Sequence, residues 1–191
     1  MGNRIQSRRN LGKGRGSAGF SLVEVAILAV FLLVAVGGLS SAVLSSLQLS
    51  RTTEESALAD EAARGLAANM QSNTFRDIFK LYNSDPNDDP VGIVGPGPAF
   101  DVRGLTPRAG DPDGRVGRIE FPAVPTGVGT GVALREDFDE RRMAMPRDLN
   151  GNGADVDDAS ADYLVLPVRL IVEWTGAGGN RSLELDLALL P

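Results

Sequence analysis

Gly19-Phe20-Ser21-Leu22-Val23-Glu24 opens the stretch that decides the fold, followed by 25 uncharged residues from Val25 to Leu49. Val25 to Leu39 contains only apolar residues and glycine, and Ser40 to Leu49 continues with five polar residues, four of them serines. A helix needs ~20 predominantly apolar residues to cross a bilayer, so the first part can span and the second is a more polar exit. Glu24 stands at the head of this stretch. A carboxylate within a spanning helix costs ~2.5–3.5 kcal/mol or more unless it is paired or reaches the headgroups.

Charge is distributed unevenly around the stretch. Residues 1–19 hold five bases (Arg4, Arg8, Arg9, Lys13, Arg15) and no acid. The rest of the chain carries all 25 acids against 14 of the 19 bases, a net −11. The excess of positive charge predicts a cytoplasmic N-terminus and an extracytoplasmic body. So acidic a body gives no sign of nucleic-acid binding. There is no cysteine and no histidine, so disulfides, Ser-His and Cys-His nucleophiles and histidine metal ligands are excluded. No enzyme is expected, and no cofactor is required.

Three readings of the N-terminus compete. A secretory signal peptide would be cut after Ser40-Ser41-Ala42, but its apolar region is normally shorter and carries no acid. A plain anchor accounts for the hydrophobicity and not for Gly19 or Glu24. The third rests on a resemblance. Gly19-Phe20-Ser21-Leu22-Val23-Glu24, set between a basic leader and an apolar helix, resembles the cleavage and methylation motif of type IV prepilins. Phe20-Ser21-Leu22-Val23-Glu24-Val25 and the size of the body look like the PilV-type minor pilins or pseudopilins within that family.

The resemblance implies a cut between Gly19 and Phe20 by prepilin peptidase and N-methylation of the new Phe20 amine. It implies that Glu24 meets such an amine on a neighbouring subunit during assembly. A paired, desolvated charge favours one arrangement over others more than it adds stability. The implied partners are prepilin peptidase, other pilin or pseudopilin subunits, the inner membrane and a pilus assembly platform. The alternative is a single-pass, membrane-anchored extracytoplasmic binding or structural protein with no filament role.

Helical spacing continues beyond the apolar stretch. Leu58, Ala62, Leu66, Met70, Thr74 and Ile78 form a row four apart, with Ala59, Ala63, Ala67, Phe75 and Phe79 beside it. Ser17 or Ser21 can cap the start, and Asn83-Ser84-Asp85-Pro86 stops the helix. Continuous from Phe20 to Tyr82, it would be ~95 Å long. Gly37-Gly38 reads either as close helix packing in the membrane or as a weak point that unwinds in an assembly.

The expected fold is α+β: one long N-terminal helix, transmembrane in its first half, packed on a small antiparallel β-sheet head. The organisation is a leader at 1–19, a membrane and assembly helix at 20–50, its amphipathic half at 51–84 and a β-rich head at 85–191. Within the head, Val91–Val94, Phe100–Leu105 and Val116–Phe121 read as short strands, and Thr126 to Val132 as a glycine-rich loop or weak strand. Tyr163 to Trp174 is expected as a strand with Leu164, Leu166, Val168, Leu170, Val172 and Trp174 on one face. It is joined through a loop at 175–180 to a second strand, Arg181 to Leu190, in a hairpin with one buried face. Pro167 places its site at an edge or bulge. Arg135 to Arg142 reads as a solvated charge run.

One stretch suggests a cation site. Asp148-Leu149-Asn150-Gly151-Asn152-Gly153 has oxygen side chains at alternate positions before a glycine, like the opening of a calcium loop. Calcium takes 6–8 oxygens, and Asp155, Asp157, Asp158 or Asp162 would complete the set. The twelfth position is Ala159, not glutamate, so the full motif fails. A solvated Asp/Asn/Gly turn uses the same residues.

Overall fold

The computed structural model describes residues 19–191; the basic leader and Ser17 lie outside them. The chain divides into two compact units, the first ending at Ser45 and the second running from Ser46 to Pro191. In order, the elements are α1 (Leu22–Ser72), α2 (Ile78–Tyr82), β1 (Ala99–Phe100), β2 (Gly117–Glu120), β3 (Ala123–Pro125), β4 (Val132–Leu134), β5 (Leu166–Gly176) and β6 (Gly179–Leu189). Two 3-10 turns occupy Phe75–Asp77 and Arg141–Met143. The fold is α+β, with an antiparallel sheet in the order β1-β2-β5-β6 and a separate β3-β4 pair.

In the first unit the chain is helical from Leu22 onward, through Gly37-Gly38. Every residue from Gly19 to Arg51 is exposed. The most apolar 18-residue window of α1 has a mean hydropathy of 2.7, enough in length and composition to cross a membrane.

In the second unit α1 buries Ala59, Ala63, Ala67 and Met70, a narrow stripe at helical spacing. Leu58, Ala62 and Leu66 flank it, half-buried. Small alanines let the helix lie close to the large side chains of β5. Leu166, Val168, Leu170, Val172 and Trp174 are each at most 2% exposed and join the same core. Each such large side chain contributes about 1.5–3 kcal/mol by leaving water.

The helix is not continuous to Tyr82. α1 ends at Ser72, where Asn73 Nδ2 donates to the Asn69 carbonyl at 2.9 Å and Thr74 adopts an extended ψ of 125°. Tyr163 holds the break. Its hydroxyl donates to the Phe75 carbonyl at 2.6 Å and accepts from Phe79 N–H at 3.4 Å. Its ring meets Phe75 edge-on at 5.0 Å. α2 then stops at Asn83, as its sequence predicts, with Asn83 Oδ1 accepting from Asp85 N–H at 2.6 Å.

The hairpin has a tighter turn than expected and starts three residues later, at Leu166. β5 and β6 pair from Leu166↔Leu189 to Gly176↔Gly179, leaving only Ala177-Gly178 as the turn. On β6, Leu183, Leu185 and Leu187 are half-buried while Glu184, Asp186 and Ala188 are exposed, the predicted alternation. β5 departs from a one-faced strand, because Arg169 and Ile171 on its other face are also buried. Leu164 is exposed; it precedes β5, and its N–H donates to the Leu149 carbonyl at 2.7 Å. Pro167 pairs with Ala188 at a level that β2 does not reach, so its missing N–H costs no sheet bond.

The glycine-rich middle contributes little sheet. Residues 91–94 form no strand, and Val91 and Val94 are fully open to solvent. Of the expected 100–105 strand only Phe100 pairs, together with Ala99 before it, and Gly117–Glu120 is the centre of the expected 116–121 strand. The Phe100 ring lies directly over Gly117, where a Cβ would collide with it. Residues 126–131 close the β3–β4 hairpin, with Thr126 N–H donating to the Gly131 carbonyl at 2.8 Å.

Candidate functional site

Gly19 and Phe20 precede the first helical residue and are exposed, Phe20 by 72%. Among the described residues beyond its chain neighbour, none comes within 4 Å of where a Gly19 Cβ would stand. Ser21 caps the helix: its Oγ accepts from Glu24 N–H at 3.3 Å. Ser21-Leu22-Val23-Glu24 thus has the spacing of a capping box, and Glu24 lies in the first turn. The positive end of the helix dipole favours a carboxylate there. Glu24 is exposed and its side chain has no partner among the described residues.

The 148–158 loop spends its oxygens on itself. Asp148 accepts from Gly151 N–H at 2.6 Å and from Gly153 N–H at 2.9 Å, and these amides hold its carboxyl below the usual range. Asn150 Oδ1 accepts from Asn152 N–H, and Asn152 Oδ1 from Ala154 N–H. Asn152 Nδ2 donates to Asp157 at 2.6 Å, and Asn150 Nδ2 donates to Asp162. Asp158 accepts from the Ser160 N–H and hydroxyl, and Asp155 has no hydrogen-bond partner. Among the described residues no three acidic groups gather as a metal would need. The loop takes the turn form of its sequence.

Beneath that loop lies a carboxylate that its neighbourhood in sequence disguises. Glu136, inside the expected solvated run, is 0% exposed. Its Oε1 accepts from Leu149 N–H at 2.6 Å and Asn150 N–H at 3.2 Å, tying the loop to the end of β4. Its Oε2 is buried with no partner. Elsewhere in the run Arg135 pairs with Asp137 at 2.8 Å and Arg142 with Glu184 at 2.5 Å, while Asp139 and Arg141 are exposed as the solvated reading expects.

The outer face of the sheet is a lattice of charge. Glu120, Arg169 and Asp186 stand in register across β2, β5 and β6. Arg169, 7% exposed, donates from Nε to Asp186 at 2.6 Å and from Nη2 to Glu140 at 3.4 Å. Arg169 in turn holds the Glu140 carboxyl below its ordinary range, with help from Arg142 N–H. Glu173 is likewise held down, first by Arg118 and also by Arg108. Beside this lattice a cavity of about 490 Å³ opens between the sheet, the β3–β4 pair and the 138–143 segment. Alternation in β5 gave no sign of this region, because a buried arginine there depends on partners far away in the chain.

No family model matches the chain, and no curated protein or solved structure matches it.

Proposed function

We propose that this chain is the precursor of a type IV pilin-like subunit, a minor pilin or pseudopilin. Prepilin peptidase cuts it between Gly19 and Phe20 at the inner membrane, and the mature subunit joins a pilus or a type II secretion pseudopilus. The observation that carries this reading is the placement of the motif. Gly19-Phe20 lies just outside a capped helix, both residues exposed, and Glu24 occupies the first turn of 51 helical residues. A peptidase needs an accessible bond, which a helix interior does not offer.

The same helix supports the second half of the proposal. Its apolar residues from Leu22 to Leu49 are all exposed, a surface suited to lipid before assembly and to neighbouring helices afterwards. The β-rich head is built on the C-terminal part of that helix.

Expression in a host with prepilin peptidase and an assembly system tests the proposal. Gly19→Ala should abolish removal of residues 1–19. Glu24→Gln keeps the size of the side chain and the backbone bond to Ser21 Oγ and removes the charge, so it should be processed but excluded from filaments. Normal incorporation of both Glu24→Gln and Glu24→Ala would sink the pairing role. An uncut chain in the membrane would favour the anchored, non-filament protein.

A further inference from the structure

We propose that the cavity beside Arg169 binds an apolar side chain carried on a basic segment of a partner protein. This assignment is independent of the filament reading and stands or falls separately from it.

The volume is the first argument. At about 490 Å³ the cavity falls within the ~300–1,000 Å³ typical of small binding sites. It is open to solvent on one side and has room for one aromatic or branched side chain. Phe121, Val132, Phe138 and Met143 supply apolar wall. A side chain entering there leaves water on most sides, which is the principal source of affinity.

The charges select the flanks. The lining holds two carboxylates, Glu120 and Glu140, against one guanidinium. Arg169 is already matched by Asp186 and Glu140, so it has little left for an anion. Glu120 engages Arg118 through Oε1 alone, and Glu140 uses Oε1 for both Arg142 N–H and Arg169. The Oε2 atom of each remains for an incoming cation. The net −11 of the chain beyond residue 19 draws a basic partner to the same surface and repels an acidic one.

Arg169 and its partners form the rigid side of the site. The buried guanidinium on β5, tied to β6 and to the 138–143 segment, keeps Glu140 in place before any partner arrives, and Arg118 holds Glu120. Preorganisation of this kind reduces the ordering cost of binding.

The test uses the full chain in a neutral maltoside detergent and fluorescein-labelled peptides read by anisotropy. Three probes differ at the positions that matter: Lys-Phe-Lys, Glu-Phe-Glu and Lys-Ser-Lys, each in a Gly/Ser frame. The Lys-Phe-Lys probe should bind about ten-fold more tightly than either of the others, a difference of about 1.4 kcal/mol. Its affinity should fall with added salt, because the carboxylates are partly exposed. Glu140→Gln should weaken it about five-fold. Ala123→Trp, which fills the cavity, should remove binding. If that variant melts early, the Glu120→Gln, Glu140→Gln double variant decides instead. Equal binding of the lysine and glutamate probes, no binding of Lys-Phe-Lys at millimolar concentration, or unchanged affinity in the double variant each overturns the proposal.

Discussion

Glu55 of α1 accepts a hydrogen bond from Trp174 Nε1 at 3.2 Å, and its second oxygen accepts from Ala177 N–H at 3.1 Å. One carboxylate thus pins the tip of the β5–β6 hairpin to the helix, more than a hundred residues away in sequence. Arg181 reinforces it from the other side, reaching the Thr52 carbonyl and the Ser56 hydroxyl. Gly176 makes the contact geometrically feasible, because a Cβ there would collide with the Glu55 carboxylate. Glu55→Ala should lower head stability by about 1–3 kcal/mol, since it strands the Trp174 and Ala177 donors. Gly176→Ala should produce a similar loss by displacing the carboxylate. Denaturant melts followed by Trp174 fluorescence check both; wild-type midpoints would show that the clamp carries no weight.

The second prediction concerns alkaline pH. Burial pushes the Tyr163 hydroxyl up to about 12, and burial also raises Tyr82. An unfolded tyrosine ionises near ~10. The stability from the neutral Tyr163 hydroxyl is therefore complete below pH ~10 and is lost as pH rises toward 12, by about 1.4 kcal/mol per pH unit, and Tyr82 adds a loss of the same sign. Lys80 is the only lysine after the leader, so the tyrosines dominate this range. Tyr163→Phe should flatten the loss, and should cost about 1–2 kcal/mol at neutral pH through the orphaned Phe75 and Phe79 groups. Absorbance at 295 nm against pH, with parallel melts, measures it.

Glu136 makes the third prediction. Glu136→Ala removes the acceptor for the Leu149 and Asn150 amides and leaves a hole in a buried site. It should cost about 2–4 kcal/mol. Glu136→Gln keeps an oxygen for those amides and removes the partnerless carboxylate oxygen, so it should cost far less than the alanine change. Thermal melts of the two variants compare them; equal losses would mean that the carboxylate charge itself matters.

These features also show what could be read from sequence. The β5–β6 hairpin was legible because every second residue from Leu166 to Trp174 and from Leu183 to Leu189 is apolar, and strand geometry puts those residues on one face. The stop after Tyr82 was legible because Asn83 and Pro86 act locally. The break at Asn73-Thr74 was hidden, because the apolar rows run straight through it and the hydroxyl that sustains it comes from Tyr163. The burial of Arg169 and Glu136 was hidden for the same reason. A charge becomes affordable inside only when distant partners, here Asp186, Glu140 and the Leu149 and Asn150 amides, arrive with it. At the candidate sites the N-terminal motif was visible as residues, while the cavity beside Arg169 had no local pattern at all.

The fourth prediction follows from the 148–158 loop. Asp148 and Asp157 already accept from amides of the loop itself. A ligand present at 100 times its dissociation constant would stabilise the fold by about 2.7 kcal/mol. Millimolar calcium should instead leave the melting temperature unchanged, as should a chelator. A calcium-dependent rise of several degrees, lost in Asp148→Asn, would show that the loop reorganises around an ion.

The central claim is that Gly19-Phe20 is a processing site. It is tested most directly by the intact mass and N-terminal sequence of the chain recovered from membranes of a host that supplies prepilin peptidase. The account predicts a mature chain beginning at Phe20 with a methylated amine. A chain still beginning at Met1, or one beginning at Val43 after cleavage behind Ala42, would contradict it.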